Sequence, residues 1–156
     1  MTTTLWLRVA SGIALLFAAG HTLGGLKYWS PMGDNPVLQA MRTVRFDTMG
    51  ANRSYLDFYL GFGYSLSVTQ VMLAVLLWQL AALARTDALG VRPMIGVIAL
   101  ATAAGGVIAY LFIFPLPAFF SLLLVASLAV AYAVARNPVR PRQDRTGDLP
   151  RPISRA

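Results

Sequence analysis

Three long stretches of apolar residues dominate the chain and predict helices that cross a membrane. Residues 5–26 form the first stretch, with Arg8 near its start and His21 near its end. Residues 58–84 are 27 positions without a charge, and residues 93–135 are 43 positions without a charge. A membrane-spanning helix needs about 20 mostly apolar residues. The first two stretches therefore predict one span each, whereas the third is long enough for two.

Two prolines divide the third stretch near its centre. Pro115 and Pro117 flank a single leucine. Proline lacks a backbone donor and disfavours the helical conformation in the residue before it, so the pair predicts a tight turn between two helices. The predicted fold is therefore all-α, an integral membrane four-helix bundle that forms one domain over residues 1–135. Its spans are predicted at about residues 5–26, 56–84, 94–114 and 117–135.

The first stretch has an alternative interpretation as a secretory signal peptide. Residues 1–8 would be its basic start, and the small residues of 17–20 would offer a cleavage site. The apolar stretch is long for a signal peptide, and polar residues follow it directly at Lys27. These features favour a membrane helix.

Residues 27–55 form the one long connection between predicted spans. Asp34 or Asn35 can cap a helix whose first residue is the proline that follows, and apolar residues then recur at helical spacing. We therefore predict a short amphipathic helix over residues 36–48 in this outer loop, with Gly50 as its stop. The helix is either a lid over the bundle or a spacer that fills its top.

Small residues recur every four positions in each predicted span. Because apolar lipid does not drive helices together, such stripes favour close packing between helices. They predict a compact bundle, and their alternative use is to join copies of the chain into a homo-oligomer. The stripes are Gly20 and Gly24; Gly61 and Ser65; Ala101, Gly105 and Ala109; and Ser127, Ala131 and Ala135.

Composition and charge narrow the class of protein. Hydrophobic residues make up 57% of the 156 positions and charged residues 12%, about half the quarter that is usual in soluble domains. The absence of cysteine excludes a disulfide scaffold and a thiol nucleophile. Most of the net charge of +7 lies in residues 136–156, which are rich in arginine and proline and which we predict to be a disordered cytoplasmic tail.

The distribution of basic residues predicts the orientation. With four spans, nine arginines lie on the side of the two termini, and four basic residues lie on the other side. Basic loops stay in the cytoplasm, so both termini are predicted to be cytoplasmic. The arginines of the tail can also attract anionic headgroups, which makes membrane lipids the expected partners. No nucleic-acid partner is expected, because these arginines are not interleaved with aromatic residues.

Polar residues at membrane depth gather at the outer end of the predicted bundle, and ionisable groups at such depth are functional candidates. We expect His21 to act as acid or base, with Asp57 or Asp47 orienting it. Two alternatives are open: that Asp57 serves only as the partner of Ser54 in a capping box, and that His21 only holds helices together. The predicted binding residues are Arg45 for an anionic headgroup, and Tyr59, Tyr64, Tyr110 and Ser121 for the pocket.

No cofactor and no metal site are predicted. A single histidine without clustered carboxylates does not supply the ligands that a metal ion requires. His21 could be one axial ligand of a haem, but a second histidine is absent. The sequence contains no phosphate-binding loop, dinucleotide fingerprint, nucleophile elbow or catalytic triad.

Two segments resemble a family of small, uncharacterised, four-helix membrane proteins of bacteria. The first segment is residues 15–25 with Trp29-Ser30-Pro31, and the second runs from Arg45-Phe46-Asp47 to residues 55–63. The resemblance covers about residues 5–135. It implies the four-helix fold and a bacterial inner membrane, and it implies no activity. The positions that carry it include His21, Arg45, Asp47, Asp57, Tyr59, Gly61 and Gly63.

Three functions are compatible with these features. The first is a membrane protein that binds a lipophilic small molecule in an outer-leaflet pocket, or converts it by acid–base chemistry as an isomerase or cyclase does. The second is a structural or accessory membrane subunit without a catalytic site. The third and weakest is a small transporter, because the inner half of the predicted helices has little polar lining beyond Thr69, Gln70 and Thr102.

Overall fold

The computed structural model describes residues 2–136, which form five helices and two short strands. The predicted tail lies outside the described residues, except for Arg136. In chain order the elements are α1 (Thr3–Gly25), α2 (Pro36–Thr43), β1 (Arg45–Thr48), β2 (Ala51–Ser54), α3 (Tyr55–Leu83), α4 (Arg92–Phe112) and α5 (Pro115–Ala133).

The all-α prediction is confirmed for the main elements. Four of the helices, α1, α3, α4 and α5, are long and apolar enough to cross a membrane, and each of their limits lies within two residues of the predicted one. This finding indicates a multi-pass membrane protein.

The proline turn separates α4 from α5 as the sequence indicates. α4 ends at Phe112, Phe114 is extended, and Pro115 is the first residue of α5. Proline suits this position because the first amide of a helix has no partner within the helix.

The four long helices pack in the order α3, α1, α5, α4. α1 contacts both α3 and α5, and α4 contacts α5. Neighbouring helices run antiparallel: the Ser11 hydroxyl donates to the Ala74 carbonyl over 2.7 Å, whereas His21, later in α1, meets Ser67, earlier in α3. Within residues 2–136, α3 and α4 are not among the closely packed pairs, so this side of the bundle is open.

The buried core lies toward one end of the bundle. We call this the terminal end, because it carries Thr2, the 84–91 connection and Arg136, and we call the opposite end, which carries residues 26–54, the loop end. The largest fully buried side chains all lie toward the terminal end and come from all four long helices: Leu7, Leu77, Ile95 and Leu128.

The small-residue stripes contribute to packing only in part. Ser127, Ala131 and Ala135 are buried. A Cβ added at Gly20, Gly61 or Gly105, in contrast, would meet no atom within 4 Å, so these three glycines do not mark close approaches within the bundle. The close contact of α4 with α5 is at Gly106 instead, where an added Cβ would lie 2.8 Å from the Cβ of Ser121.

The predicted helix over residues 36–48 is too long. Asn35 caps α2 through its side chain and Pro36 is the first residue, as expected, but the helix ends at Thr43. Residues 45–48 pair instead with residues 51–54 as an antiparallel hairpin, which the helical spacing of apolar residues did not indicate.

Gly50 is a turn residue of this hairpin and not a helix stop. Met49 and Gly50 both have positive φ, of 47° and 79°. Two-residue hairpin loops with positive φ at both positions match the right-handed twist of the paired strands. The hairpin leads directly into α3, where Ser54 and Asp57 form the predicted capping box.

Candidate functional site

A cavity of about 760 Å³ lies between the four long helices. This volume falls within the range of roughly 300–1,000 Å³ that is usual for small-molecule sites. The lining is almost entirely apolar, and α1, α3, α4 and α5 all contribute to it. The cavity extends from Trp29 at the loop end to Leu73 and Ile98, which pack against the buried core.

One side of the cavity borders the gap between α3 and α4. Lining side chains on both helices are exposed there, including Phe62 and Leu66 on α3 and Val97 and Ile108 on α4. Because α3 and α4 are not closely packed, the cavity opens sideways out of the bundle.

Trp29 covers the loop end of the cavity. Tyr28 and Trp29 have φ of 56° and 46°, and the Trp29 amide donates to the Gly24 carbonyl over 3.1 Å. This left-handed turn folds the indole back over the end of α1, where its Nε1 donates to the His21 carbonyl over 2.8 Å. Two consecutive left-handed residues other than glycine are costly.

Three glycines provide the space for the indole. An added Cβ would lie 3.0 Å from the Trp29 ring at Gly24, 2.7 Å at Gly25 and 2.3 Å at Gly63. The rings of Tyr59 and Tyr64 pack edge-to-face with the indole, at centroid distances of 6.1 and 5.1 Å. Trp29 is therefore wedged between the end of α1 and the first turns of α3.

His21 lines the cavity next to Trp29. Its Nδ1 is 3.0 Å from the Ser67 hydroxyl on α3, and its ring lies 4.9 Å from the Trp29 ring. Within the described chain, neither a carboxylate nor any other group bonds its Nε2. His21 therefore joins α1 to α3 through one nitrogen, and the other remains without a protein partner.

Gln70 is a polar lining residue farther into the cavity, one turn beyond Ser67 on α3. Its Oε1 is buried and has no hydrogen-bond partner in the described chain. Nearby hydroxyls are satisfied: Thr69 donates to the Ser65 carbonyl over 2.9 Å, and Thr102 donates to the Ile98 carbonyl over 2.8 Å. Gln70 thus has hydrogen-bonding capacity that its surroundings do not use.

The structure brings three of the eight predicted site residues to the cavity: His21, Tyr59 and Ser121. Tyr64 does not line the cavity, but its ring contacts the Trp29 ring. Tyr110 is 68% exposed and is not among the lining residues. The sequence predicts a similar depth for His21, Tyr64, Tyr110 and Ser121, but Tyr110 faces away from the interior of the bundle.

The expected convergence of Asp57, Asp47 and Arg45 on the same pocket is wrong. The Asp57 carboxylate accepts from the Ser54 amide over 2.9 Å and thereby caps α3. Asp47 and Arg45 lie in β1, where both bond to Asn52 in the facing strand. Asp57, Asp47 and Arg45 are all exposed, and none of these three residues lines the cavity. The predicted carboxylate partner of His21 is replaced by Ser67.

Two residues of the site were not among those predicted. In the sequence, Trp29 is only part of the segment that carries the resemblance, and Gln70 is only one of the few polar residues in the inner half of the predicted helices. The signals were present: Gly24, Gly25 and Gly63 leave room for a large ring, and Gln70 stands in a stretch of 27 uncharged residues. Neither signal says which side chain fills the room or which way the glutamine faces.

Among residues 2–136, no acidic, lysine or arginine side chain lines the cavity. In the part of the chain that the structure describes, there is also no group of three or more histidine, cysteine or acidic residues that could hold a metal ion. The arrangement is suited to binding an apolar molecule and to forming a few neutral hydrogen bonds with it.

Comparison with known protein families, with curated proteins and with solved structures finds no match to this chain.

Proposed function

We propose that the chain spans a bacterial inner membrane four times and binds a lipophilic small molecule in the central cavity. The observation that carries this proposal is the cavity itself: about 760 Å³, apolar, and built by all four long helices. Among the polar side chains in its wall, His21 and Gln70 have hydrogen-bonding capacity that the described chain does not use. Apolar pockets with a small number of such groups are typical of small-molecule sites.

The open side of the bundle supports a ligand that comes from the bilayer. The gap between α3 and α4 lies along apolar helices, so in a membrane it would face acyl chains. A molecule that is dissolved in the bilayer could then enter sideways without crossing water. Trp29 covers the loop end, which disfavours entry from that side and favours a membrane-soluble ligand.

The test is to fill the cavity and to follow the molecules that co-purify. Gly105 lines the cavity, and a Cβ there meets no atom within 4 Å. In Gly105→Leu the new side chain should therefore occupy ligand space without displacing the backbone. We expect mass spectrometry of protein purified in mild detergent to find a lipophilic molecule with the wild type and to find it lost or strongly reduced with Gly105→Leu.

Gly12→Leu is the matched control. A Cβ at Gly12 also meets no atom within 4 Å, but Gly12 lies on α1 outside the cavity. This variant should retain the molecule. The proposal fails if the wild type carries no lipophilic molecule beyond ordinary membrane lipid, or if Gly105→Leu retains it as Gly12→Leu does. A structural or accessory subunit would then be the better interpretation.

Acid–base conversion of the ligand is a second candidate function, favoured by the unpartnered Nε2 of His21 in the cavity wall. Glutamine at this position can form hydrogen bonds but cannot exchange a proton near neutral pH. If the protein only binds, wild type and His21→Gln should carry the same molecule. If it converts, His21→Gln should accumulate a different one, which mass spectrometry distinguishes.

A further inference from the structure

We infer that the ligand is an uncharged lipophile that carries a hydroxyl group, and that Gln70 recognises this hydroxyl. The inference rests on the proposed binding function and adds the chemical class of the molecule. It follows from two independent properties of the cavity: the absence of charged lining residues, and the buried amide oxygen of Gln70 without a partner.

The lining argues against a charged ligand. In the described part of the chain, neither an acidic residue nor lysine or arginine contributes to the cavity wall. A charge in an apolar site that lacks an opposite charge is strongly disfavoured. Arg45, which the sequence suggested as a headgroup contact, is bonded to Asn52 in the exposed hairpin. An anionic or cationic headgroup would therefore have no counter-charge in the cavity.

The position of Gln70 requires a polar group on the ligand. Its Oε1 is buried without a hydrogen-bond partner, and a buried polar atom in this state carries an energetic penalty that a bound partner removes. Its Nε2 is not among the buried atoms and has no hydrogen-bond partner in the described chain. A bound molecule can therefore reach Nε2 directly, and it can reach Oε1 when the side-chain amide turns toward the cavity.

A hydroxyl fits this amide better than an ether or a ketone does. A hydroxyl donates one hydrogen bond and accepts others. It can therefore donate to Oε1 of Gln70, and its oxygen can also accept from Nε2. An ether or a ketone accepts only and would leave Oε1 without a donor. Lipophilic alcohols are therefore the expected class.

The experiment compares three probes that share one chain: hexadecan-1-ol, hexadecane and hexadecanoate. Purified full-length protein in detergent is incubated with an equimolar mixture, and native mass spectrometry measures the bound fractions. We expect wild type to bind the alcohol roughly 3- to 10-fold more than the alkane, the factor that one neutral hydrogen bond provides. The carboxylate should be the weakest of the three.

Gln70→Met should remove this preference. Methionine has a similar length and no hydrogen-bonding amide, so the alcohol and the alkane should bind within about twofold of each other. Gln79→Met is the matched control: Gln79 lies on the same helix, is exposed and does not line the cavity. It should keep the wild-type preference.

The failures are distinguishable. If wild type binds the alcohol and the alkane equally while Gly105→Leu prevents both, the cavity is a lipophile site and the inference about the hydroxyl is wrong. If hexadecanoate binds best, the inference of an uncharged ligand is wrong. If Gly105→Leu changes no binding, the probes do not occupy the cavity, and the proposed function fails together with this inference. Wild-type selectivity decides the hydroxyl class even if Gln70→Met does not fold, and a folded Gln70→Met that keeps the preference would overturn the role of Gln70.

Discussion

At the scale of single residues, the loop end of the bundle depends on the fit between Trp29 and the glycines around it. The indole is held by one hydrogen bond to the His21 carbonyl and by close contacts with Gly24, Gly25 and Gly63. The contact with Gly63 is the tightest, because an added Cβ there would lie 2.3 Å from the ring. This geometry predicts a large effect from a single methyl group.

Gly63→Ala should displace Trp29 and destabilise the protein by about 1–3 kcal/mol, the usual cost of overpacking. Gly61→Ala, two residues earlier on the same helix, adds the same methyl group where no atom lies within 4 Å. It should be neutral or should stabilise by a few tenths to about 1 kcal/mol, because alanine favours the helix. Thermal melting in detergent measures both. Equal melting temperatures for the two variants would contradict the close packing of Trp29 against Gly63.

A variant of Asp57 distinguishes a capping role of this residue from a catalytic role. Its carboxylate bonds the Ser54 amide at the start of α3 and does not line the cavity. Asp57→Ala should lower stability by about 1 kcal/mol, as is usual when a capping interaction is lost, and should leave the co-purified molecule in place. Melting and mass spectrometry of the same sample measure the two effects. Loss of the molecule at an unchanged melting temperature would show that Asp57 belongs to the site.

At the scale of elements, the turn of the β1–β2 hairpin contains a residue, Met49, that is unfavourable in the left-handed conformation which the turn requires. Met49 has a φ of 47° and a fully exposed side chain, so it accepts the left-handed conformation without a compensating contact. Asparagine and glycine are the residues that such a turn favours. The following Gly50 already meets this preference, and Met49 does not.

Met49→Asn should therefore stabilise the hairpin by roughly 0.5–1 kcal/mol. Slower amide exchange in β1 and β2 is the appropriate measurement, because the hairpin is a small part of the molecule. Met32→Asn is the control: Met32 is also exposed but does not have a positive φ, and it should leave the exchange unchanged. Faster exchange in Met49→Asn would mean that the methionine side chain has a stabilising contact.

At the scale of the whole molecule, the open side between α3 and α4 and the orientation in the membrane determine how a ligand reaches the cavity. The bundle closes at the terminal end, where the large core residues from all four long helices pack together. The cavity forms toward the loop end, where Trp29 lies across it. The distribution of basic residues predicts that the loop end faces away from the cytoplasm.

Single cysteines can test this orientation directly, because the natural chain has none. Met49→Cys places a thiol at the loop end, and Thr86→Cys places one in the connection at the terminal end; both positions are exposed. In intact cells a membrane-impermeant maleimide should label Met49→Cys and not Thr86→Cys. Detergent should make both reactive. The reverse labelling pattern in intact cells would show that the termini lie outside.

The sequence by itself determined the four long helices and their limits. Long uncharged stretches, one pair of prolines and one capping box define four spans within two residues of their limits, because these signals act locally along the chain. The same logic predicts a similar depth for His21, Tyr64, Tyr110 and Ser121. Only the tertiary structure decided the direction in which each side chain faces and which helices are neighbours. A helix that is apolar all round carries no pattern that specifies its facing side.

That difference explains what the sequence could not provide. Tyr110 and Ser121 are predicted at a similar depth, yet only Ser121 reaches the cavity, since Tyr110 faces outward on α4. Trp29 reaches it because of a left-handed turn that no local pattern indicates. The gap between α3 and α4 arises from the packing order of the helices. Depth is a property of one helix, whereas a cavity is a property of the distances between helices.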